Sequence, residues 1–156
     1  MSVYSSASIL DVEMVRRAEH HAVLSTDRST KTGTVIAIGE RVLASGYNRL
    51  PLGVREAEDR FLRPEKYIWT EHAECVAFGY CLRHGIKTEG ATLYSNWWPC
   101  DECSRLCIEA GIVRVVGYKP DTTHPKYGHE FEASLTMLEE AGVIITFIGE
   151  REQVQK

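Results

Sequence analysis

Residues 91 to 117 read ATLYSNWWPCDECSRLCIEAGIVRVVG, a stretch that contains a strand, a helix and a second strand in succession. Its β-rich ends predict strands at 91–96 and 112–117, and the segment between them predicts a helix over 100–110. Gly111 lies just past that helix, where a left-handed cap is favoured. Two strands joined through a helix of this length form a βαβ unit, so we expect both strands to run parallel in one sheet.

The sequence on both sides of this unit continues to alternate between helix and strand. Apolar residues at three- and four-residue intervals predict an amphipathic helix over 9–24, and TVIAIGERVLASGYN predicts a hairpin that turns at Gly39 and Glu40. The remaining predicted elements are helices over 72–84 and 129–141 and a strand over 143–148. Strands separated by helices predict an α/β fold, in the form of a three-layer α/β/α sandwich.

Length and composition describe an ordinary globular chain. The 156 residues are 44% hydrophobic and 26% charged, and no repeat or Pro/Ser-rich linker divides them. We therefore expect residues 1–156 to form a single domain. The formal net charge of −4 argues against a surface for polyanions, and hence against a nucleic acid polymer as a partner.

Cysteine content and the N-terminal sequence bear on the cellular compartment. Five cysteines cannot all pair, and MSVYSSASIL lacks the basic segment followed by an apolar one that a secretion signal requires. No apolar run approaches the ~20 residues that span a bilayer. We expect a cytoplasmic protein with reduced thiols and no membrane partner.

The βαβ unit carries the first chemical motif, Cys100 and Cys103, spaced C-x-x-C directly after Pro99. Proline favours the first turn of a helix, so both sulfurs are expected at a helix N-terminus. The positive end of the helix dipole lowers the thiol pKa there and favours the thiolate that a metal requires. By itself, a C-x-x-C pair is more often half of a structural zinc site or a redox pair.

The second motif is EHAEC, residues 71 to 75, at the start of another predicted helix. His72 at one helix N-terminus and two thiolates at another supply three ligands to one ion, the arrangement of a catalytic zinc with an open fourth position. Glu74 adds a carboxylate that can move protons beside the ion. His72 alone would be interpreted as a helix cap or a surface residue. Together the motifs match H-x-E…P-C-x-x-C, the signature of zinc nucleobase deaminases.

These motifs allow two other interpretations. Cys107 could close the site as a fourth ligand, but it lies one helical turn beyond Cys103 and is therefore about 6 Å deeper. Cys75 and Cys81 fall on the apolar helix and are interpreted as core thiols. A non-catalytic module in which zinc only joins two helices is the alternative of a different class. Glu74 argues against it, because a closed structural site has no use for a carboxylate.

Four stretches together resemble the cytidine and deoxycytidylate deaminase superfamily, and within it the dCMP deaminase branch: VLASGYNRLPLG, EHAEC, TLYSNWWPCDEC and CIEAGIVRVV. The resemblance spans residues 34–148 and implies a mixed five-stranded sheet between helices. It implies hydrolysis of dCMP to dUMP, in which a zinc-activated water attacks C4, the glutamate protonates N3 and then the amine, and ammonia leaves. Because the family favours dimers and hexamers, it also implies a homo-oligomer.

The resemblance assigns roles to individual residues. The zinc ligands would be His72, Cys100 and Cys103. Glu74 would be the catalytic proton shuttle, and the N–H of Ala73 would hold the base carbonyl. Asn48 would contact the sugar or orient the base.

Departures from the family pattern leave the substrate open. Trp97 and Trp98 stand where dCMP deaminases commonly carry an aliphatic residue and Phe, and Cys75 and Val76 replace the usual residues after His-Ala-Glu. Trp98 either stacks on the base or forms part of the wall and core. The alternative substrates are cytidine, cytosine, guanine and aminopyrimidines.

The stretch 49–69 predicts one long irregular loop, and loops of this length are more often functional than not. Its basic residues alternate with acidic ones, so most of these charges are expected to pair in solvent. Arg49 and Arg55 are predicted to bind the 5′-phosphate of a nucleotide, because guanidinium groups hold phosphate through paired hydrogen bonds.

Overall fold

The computed structural model describes residues 2–151, which form one six-stranded sheet with helices packed on both faces. The strands are β1 (Tyr4–Ser5), β2 (Gly33–Ile38), β3 (Arg41–Tyr47), β4 (Thr92–Ser95), β5 (Arg114–Lys119) and β6 (Ile144–Glu150). The helices are α1 (Ile9–Ala22), α2 (Lys66–Trp69), α3 (Ala73–His84), α4 (Asp101–Glu109) and α5 (Gly128–Glu140), with a 3₁₀ turn at Glu58–Phe61. Within residues 2–151, none of the helices has the length and apolar character needed to cross a membrane.

The β4-α4-β5 unit forms as predicted and sits in the middle of a mixed sheet. The strand order is β1-β6-β5-β4-β2-β3. β4, β5 and β6 pair in parallel, whereas β2 runs antiparallel to both β3 and β4. The sheet has six strands rather than five, because Tyr4 and Ser5 pair in parallel with β6. A strand of two residues is too short to produce an alternating pattern, so the sequence does not reveal it.

Side chains alternate across the sheet and build two apolar layers. Leu93 and Val115 pack with Phe78 in the cluster formed with α3, α4 and α5. Tyr94 and Val116, the next residues along each strand, belong to the cluster formed with α1 on the opposite face. This alternation has the period of two that a strand requires. The three-layer α/β/α sandwich is therefore confirmed.

α3 lies close to the sheet because a glycine faces it. A Cβ built at Gly46 in β3 would overlap the carbonyl oxygen of Ala73 and would lie 2.8 Å from the amide nitrogen of Ala77. Both alanines are fully buried. The absence of a side chain at Gly46 therefore sets the distance between β3 and the first turn of α3, which follows the N-cap residue His72.

A buried ion pair holds the segment that was predicted as an irregular loop. Lys66, the first residue of α2, places its Nζ 2.7 Å from Asp27 Oδ2, and it donates to Ser29 Oγ at 2.6 Å. The side chains of Lys66 and Asp27 are only 6% and 5% exposed. Burial raises the pKa of Asp27, but hydrogen bonds from Lys66 and from two backbone N–H groups outweigh it and hold that pKa below its usual value.

Candidate active site

Two helix N-termini bring the predicted metal ligands together. His72 is the N-cap of α3, Cys100 is the N-cap of α4, and Cys103 lies in the first turn of α4. The His72 side chain makes no capping hydrogen bond to α3. The imidazole and the thiol therefore face one another across the two helix ends, where the helix dipoles favour negative charge.

The three side chains converge at the spacing of a tetrahedral zinc site. His72 Nδ1 lies 3.3 Å from Cys103 Sγ and 3.5 Å from Cys100 Sγ, and the three candidate ligand atoms lie within 4.8 Å of one another. Zn–N and Zn–S bonds of about 2.0 and 2.3 Å would separate N from S by about 3.5 Å across a tetrahedral ion. The donor set therefore fits zinc. Cys107, fully buried, is not part of the cluster.

The cluster stabilises a thiolate at Cys100. Hydrogen bonds from Cys103 and then from His72 lower the pKa of Cys100 to about 4. The contact with Cys100 in turn raises the pKa of His72 to about 10. Hydrogen bonds shared with the sulfurs of Cys100 and Cys75 raise the pKa of Cys103. One thiolate and one protonated imidazole therefore share the cluster, and metal binding would displace the remaining protons.

Glu74 lies beside this cluster, in the first turn of α3. It is only 5% exposed, and Cys103 Sγ donates to its Oε2 at 3.5 Å. Burial raises the pKa of Glu74, while the nearby charge of His72 acts in the opposite direction. A carboxyl group with a raised pKa holds a proton more readily than an ordinary carboxylate and can still return it, as a proton shuttle requires.

A cavity of about 510 Å³ opens over the cluster. The predicted site residues in its lining are Asn48, His72, Glu74, Trp98 and Cys100. Asn48 is held in one orientation, because its Oδ1 accepts from the Thr32 N–H at 2.9 Å and its Nδ2 donates to the Thr30 carbonyl at 2.8 Å. Ala73 is the first residue of α3, so its N–H belongs to the first-turn donors that have no partner within the helix.

The two tryptophans differ in their surroundings. Trp98 is 2% exposed, its Nε1 donates to Ser134 Oγ at 3.0 Å, and its ring lies 5.2 Å from that of Phe147. Trp97 is half-buried and lies against the rings of Tyr127 and Phe131. Of the two interpretations of Trp98, this burial favours wall and core over stacking on a base.

The structure does not bring Arg49 or Arg55 to the cavity. Arg49 forms an isolated backbone bridge with Glu71, and its Nη1 donates to the carbonyl of Leu50 at 2.9 Å. Arg55 is exposed. Both arginines lie close to Asn48 in the sequence, but only Asn48 lines the cavity.

Other charged and aromatic residues in the lining were missed: Asp27, Lys66, Tyr67, Lys126, Tyr127 and Glu130. Lys126 and Tyr127 come from the loop between β5 and α5, which no sequence pattern connects with α2. The stretch DTTHPKYG, rich in turn-forming residues, was the available signal, because functional residues concentrate in loops held by a rigid scaffold.

Comparison with protein families gives a match over most of the chain. The family model described as the cytidine and deoxycytidylate deaminase zinc-binding region matches residues 9–119. This range contains all three residues of the candidate metal cluster, and Glu74 as well.

Similar proteins are found among curated sequences and solved structures. An uncharacterized deaminase from the luxG 3′ region of Aliivibrio fischeri is 33% identical over 127 residues, covering 80% of this chain and 83% of that protein. Mouse deoxycytidylate deaminase is 30% identical over 128 residues, covering 76% of this chain and 68% of that protein. The apo crystal structure of dCMP deaminase from cyanophage S-TIM5 has a TM-score of 0.72 at 20% identity, covering 91% of this chain and 99% of that one, which shows a shared fold.

Proposed function

Since this chain belongs to the cytidine and deoxycytidylate deaminase family and is a hydrolytic deaminase, we propose that it converts dCMP to dUMP with release of ammonia. Mouse and human relatives named deoxycytidylate deaminase support this substrate, as does a cyanophage dCMP deaminase of similar fold solved in complex with dCMP and dUMP. The observation that carries the proposal is the position of Glu74, buried in the cavity lining beside the three-residue cluster.

In this proposal His72, Cys100 and Cys103 hold one zinc ion. Three protein ligands are the number found in catalytic rather than structural zinc sites, and two of them, His72 and Cys100, line the cavity. When bound there, zinc would supply the Lewis acidity that makes water a nucleophile at neutral pH. The chain supplies the rest: it orients the base, excludes bulk water and moves protons.

Glu74 is the proton carrier of the proposed reaction. Its carboxylate accepts one proton of the attacking water and passes it to ring N3 as C4 becomes tetrahedral. It then transfers the proton of the new C4 hydroxyl to the departing amine, so that the hydroxyl becomes the carbonyl of dUMP. The C4–N bond breaks and ammonia leaves, so the sum is dCMP plus water to dUMP plus ammonia. The raised pKa of Glu74 suits a group that must both accept and release a proton within one turnover.

Two further groups would orient the substrate. The Ala73 N–H is proposed to donate to the base carbonyl, because it points from the same helix end as the candidate ligand His72. The carboxamide of Asn48, fixed by its bonds to Thr30 and Thr32, is proposed to contact the sugar or the base. A side chain held in this way loses little entropy when it binds a ligand.

A substrate panel tests the proposal. The zinc-loaded protein is incubated with dCMP, dCTP, cytidine, cytosine, guanine and an aminopyrimidine, and ammonia release is followed for each. We expect the highest kcat/KM for dCMP. If another compound of the panel releases ammonia faster, that compound and not dCMP is the substrate, and the protein is still a deaminase.

A further inference from the structure

A second cavity, of about 750 Å³, adjoins the first. The two share six lining residues: Thr30, Trp97, Trp98, Lys126, Tyr127 and Phe131. One ligand can therefore extend from the metal cluster into the second cavity. Nothing in the sequence predicted this extension.

The two cavities carry opposite charge. The first is lined by five carboxylates and two lysines: Asp27, Glu74, Asp101, Glu102, Glu130, Lys66 and Lys126. The second is lined by five cations and one carboxylate: Lys31, Arg63, Lys119, Lys126, Arg151 and Asp121. The chain as a whole has a formal charge of −4, so the excess of cations is local to the second cavity.

The cations of the second cavity form no ion pair with any residue that the structure describes. Lys119 and Arg63 form no ion pair within residues 2–151. Lys126 donates to the phenol oxygen of Tyr67 and forms no ion pair with a carboxylate among the described residues. Asp121, the one carboxylate of this lining, accepts instead from the N–H and hydroxyl of Thr123 in its own turn.

The environment of Arg151 points independently to an anionic ligand. Its guanidinium lies 4.2 Å from the centre of the Trp97 ring, at the wall that the two cavities share. Within the part of the chain that the structure describes, its Nη1 is buried and has no hydrogen-bond partner. A buried N–H of a cation is costly to leave unpaired, and phosphate oxygens are well matched to a guanidinium group.

We propose that the second cavity binds the 5′-phosphate of the substrate, with Lys126 at the junction and Arg63, Lys119 and Arg151 completing the site. The inference rests on the proposed function, because it places the base in the first cavity. The carboxylates of the first cavity would repel a phosphate, whereas the second cavity offers several cations of the kind that bind phosphate. These residues take the role that the sequence analysis gave to Arg49 and Arg55.

Binding of the product tests this site without relying on turnover. Calorimetry measures the Kd of dUMP and of deoxyuridine, which lacks the phosphate, for the wild type and for Arg63→Ala and Lys119→Ala. Both side chains are exposed, so folding should survive, and thermal melts check it. Each substitution should reduce the preference for dUMP over deoxyuridine by about 10- to 150-fold, the effect of one charge-assisted hydrogen bond. Lys87→Ala, an exposed lysine outside both linings, should retain the wild-type preference.

The outcomes separate this inference from the proposed function. An unchanged preference in both variants, or a wild type that binds dUMP no better than deoxyuridine, overturns the phosphate site even if dCMP is deaminated. A lost preference in the variants supports the site even if the wild type releases no ammonia from dCMP, in which case the proposed reaction fails instead.

Discussion

At the scale of single residues, the charges of the site are set by contacts that the chain makes to itself. Cys100 is held as a thiolate by Cys103 and His72 before any substrate is considered. Lys66 is buried against Asp27 in the wall of the same cavity. The first group of contacts favours metal binding, and the ion pair stabilises the cavity wall. We therefore expect loss of a cysteine to reduce zinc binding and loss of Lys66 to reduce the stability of the fold.

Cys103→Ser should abolish zinc binding, because a hydroxyl is a poor replacement for a thiolate ligand. Elemental analysis of the purified variant should give far less zinc than the one ion per chain expected of the wild type. Cys107→Ala, a matched change one turn along α4, should lose stability through the cavity it leaves but should keep its zinc. Full zinc occupancy in Cys103→Ser would refute the ligand assignment.

Lys66→Met should reduce the free energy of unfolding by about 3–5 kcal/mol, because it leaves Asp27 buried without a counter-charge. Urea denaturation measures the change. Arg17→Met breaks an ion pair with Glu13 whose side chains are about half exposed, and it should cost at most about 1 kcal/mol. An equal decrease in the free energy of unfolding in the two variants would show that the ion pair between Lys66 and Asp27 does not stabilise α2.

At the scale of elements, α1 and α3 are each held against the sheet by one specific contact. α3 rests on β3 through Gly46, and α1 is tied to β5 by Asp11, whose carboxylate receives two hydrogen bonds from Arg114 at 2.7 and 2.8 Å. Ser8 completes a capping box with Asp11 at the start of α1. The contact at Gly46 is steric, so it should be sensitive to side-chain size. The contact between Asp11 and Arg114 is electrostatic, so it should be sensitive to pH.

Gly46→Ala should destabilise the protein and lower its zinc content, because the new methyl group would push the first turn of α3 away from β3. The matched change is Gly79→Ala, on the exposed side of α3 with open space around it, which should raise stability by about 0.5–1 kcal/mol through helix propensity. Thermal melts and zinc analysis of both variants provide the comparison. A Gly46→Ala variant as stable as the wild type would contradict the close packing.

Stability should fall as the pH drops below about 4. Burial raises the pKa of Asp11, but the hydrogen bonds from Arg114 and Ser8 outweigh it and lower that pKa in the folded state. The stabilisation is therefore present above the unfolded pKa of about 3.9 and is lost as the pH falls through the lower folded value. Unfolding curves at successive pH values should show a weaker acid dependence for Asp11→Asn than for the wild type. Identical slopes would argue against this linkage.

Most helices and strands could be predicted from the sequence, because apolar residues recur at regular intervals. The helix from 100 to 110 and its flanking strands were predicted to within about two residues, because apolar side chains repeat with the period of each element. β1 was missed because two residues carry no period. The ligand cluster was predictable because both motifs sit at helix starts, whose geometry is local.

At the scale of the whole molecule, the second cavity could not be predicted, because its cations come from distant parts of the chain. Lys31 precedes β2, Arg63 precedes α2, Lys119 ends β5, and Arg151 follows β6. Only the fold brings them to one place, beside a cavity with the opposite charge. If the proposed phosphate site is correct, an acidic chain binds an anionic substrate because its charges are separated between two adjoining cavities.

The central claim is that Glu74 carries the proton in a zinc-dependent deamination of dCMP. The measurement that tests it most directly is the rate of ammonia release from dCMP by wild type and Glu74→Gln, with zinc determined in the same samples. We predict full zinc in both proteins and a kcat at least about 10²-fold lower in Glu74→Gln, while Glu109→Gln, an exposed glutamate of α4, keeps the wild-type rate. A zinc-loaded Glu74→Gln that releases ammonia at the wild-type rate would contradict the account.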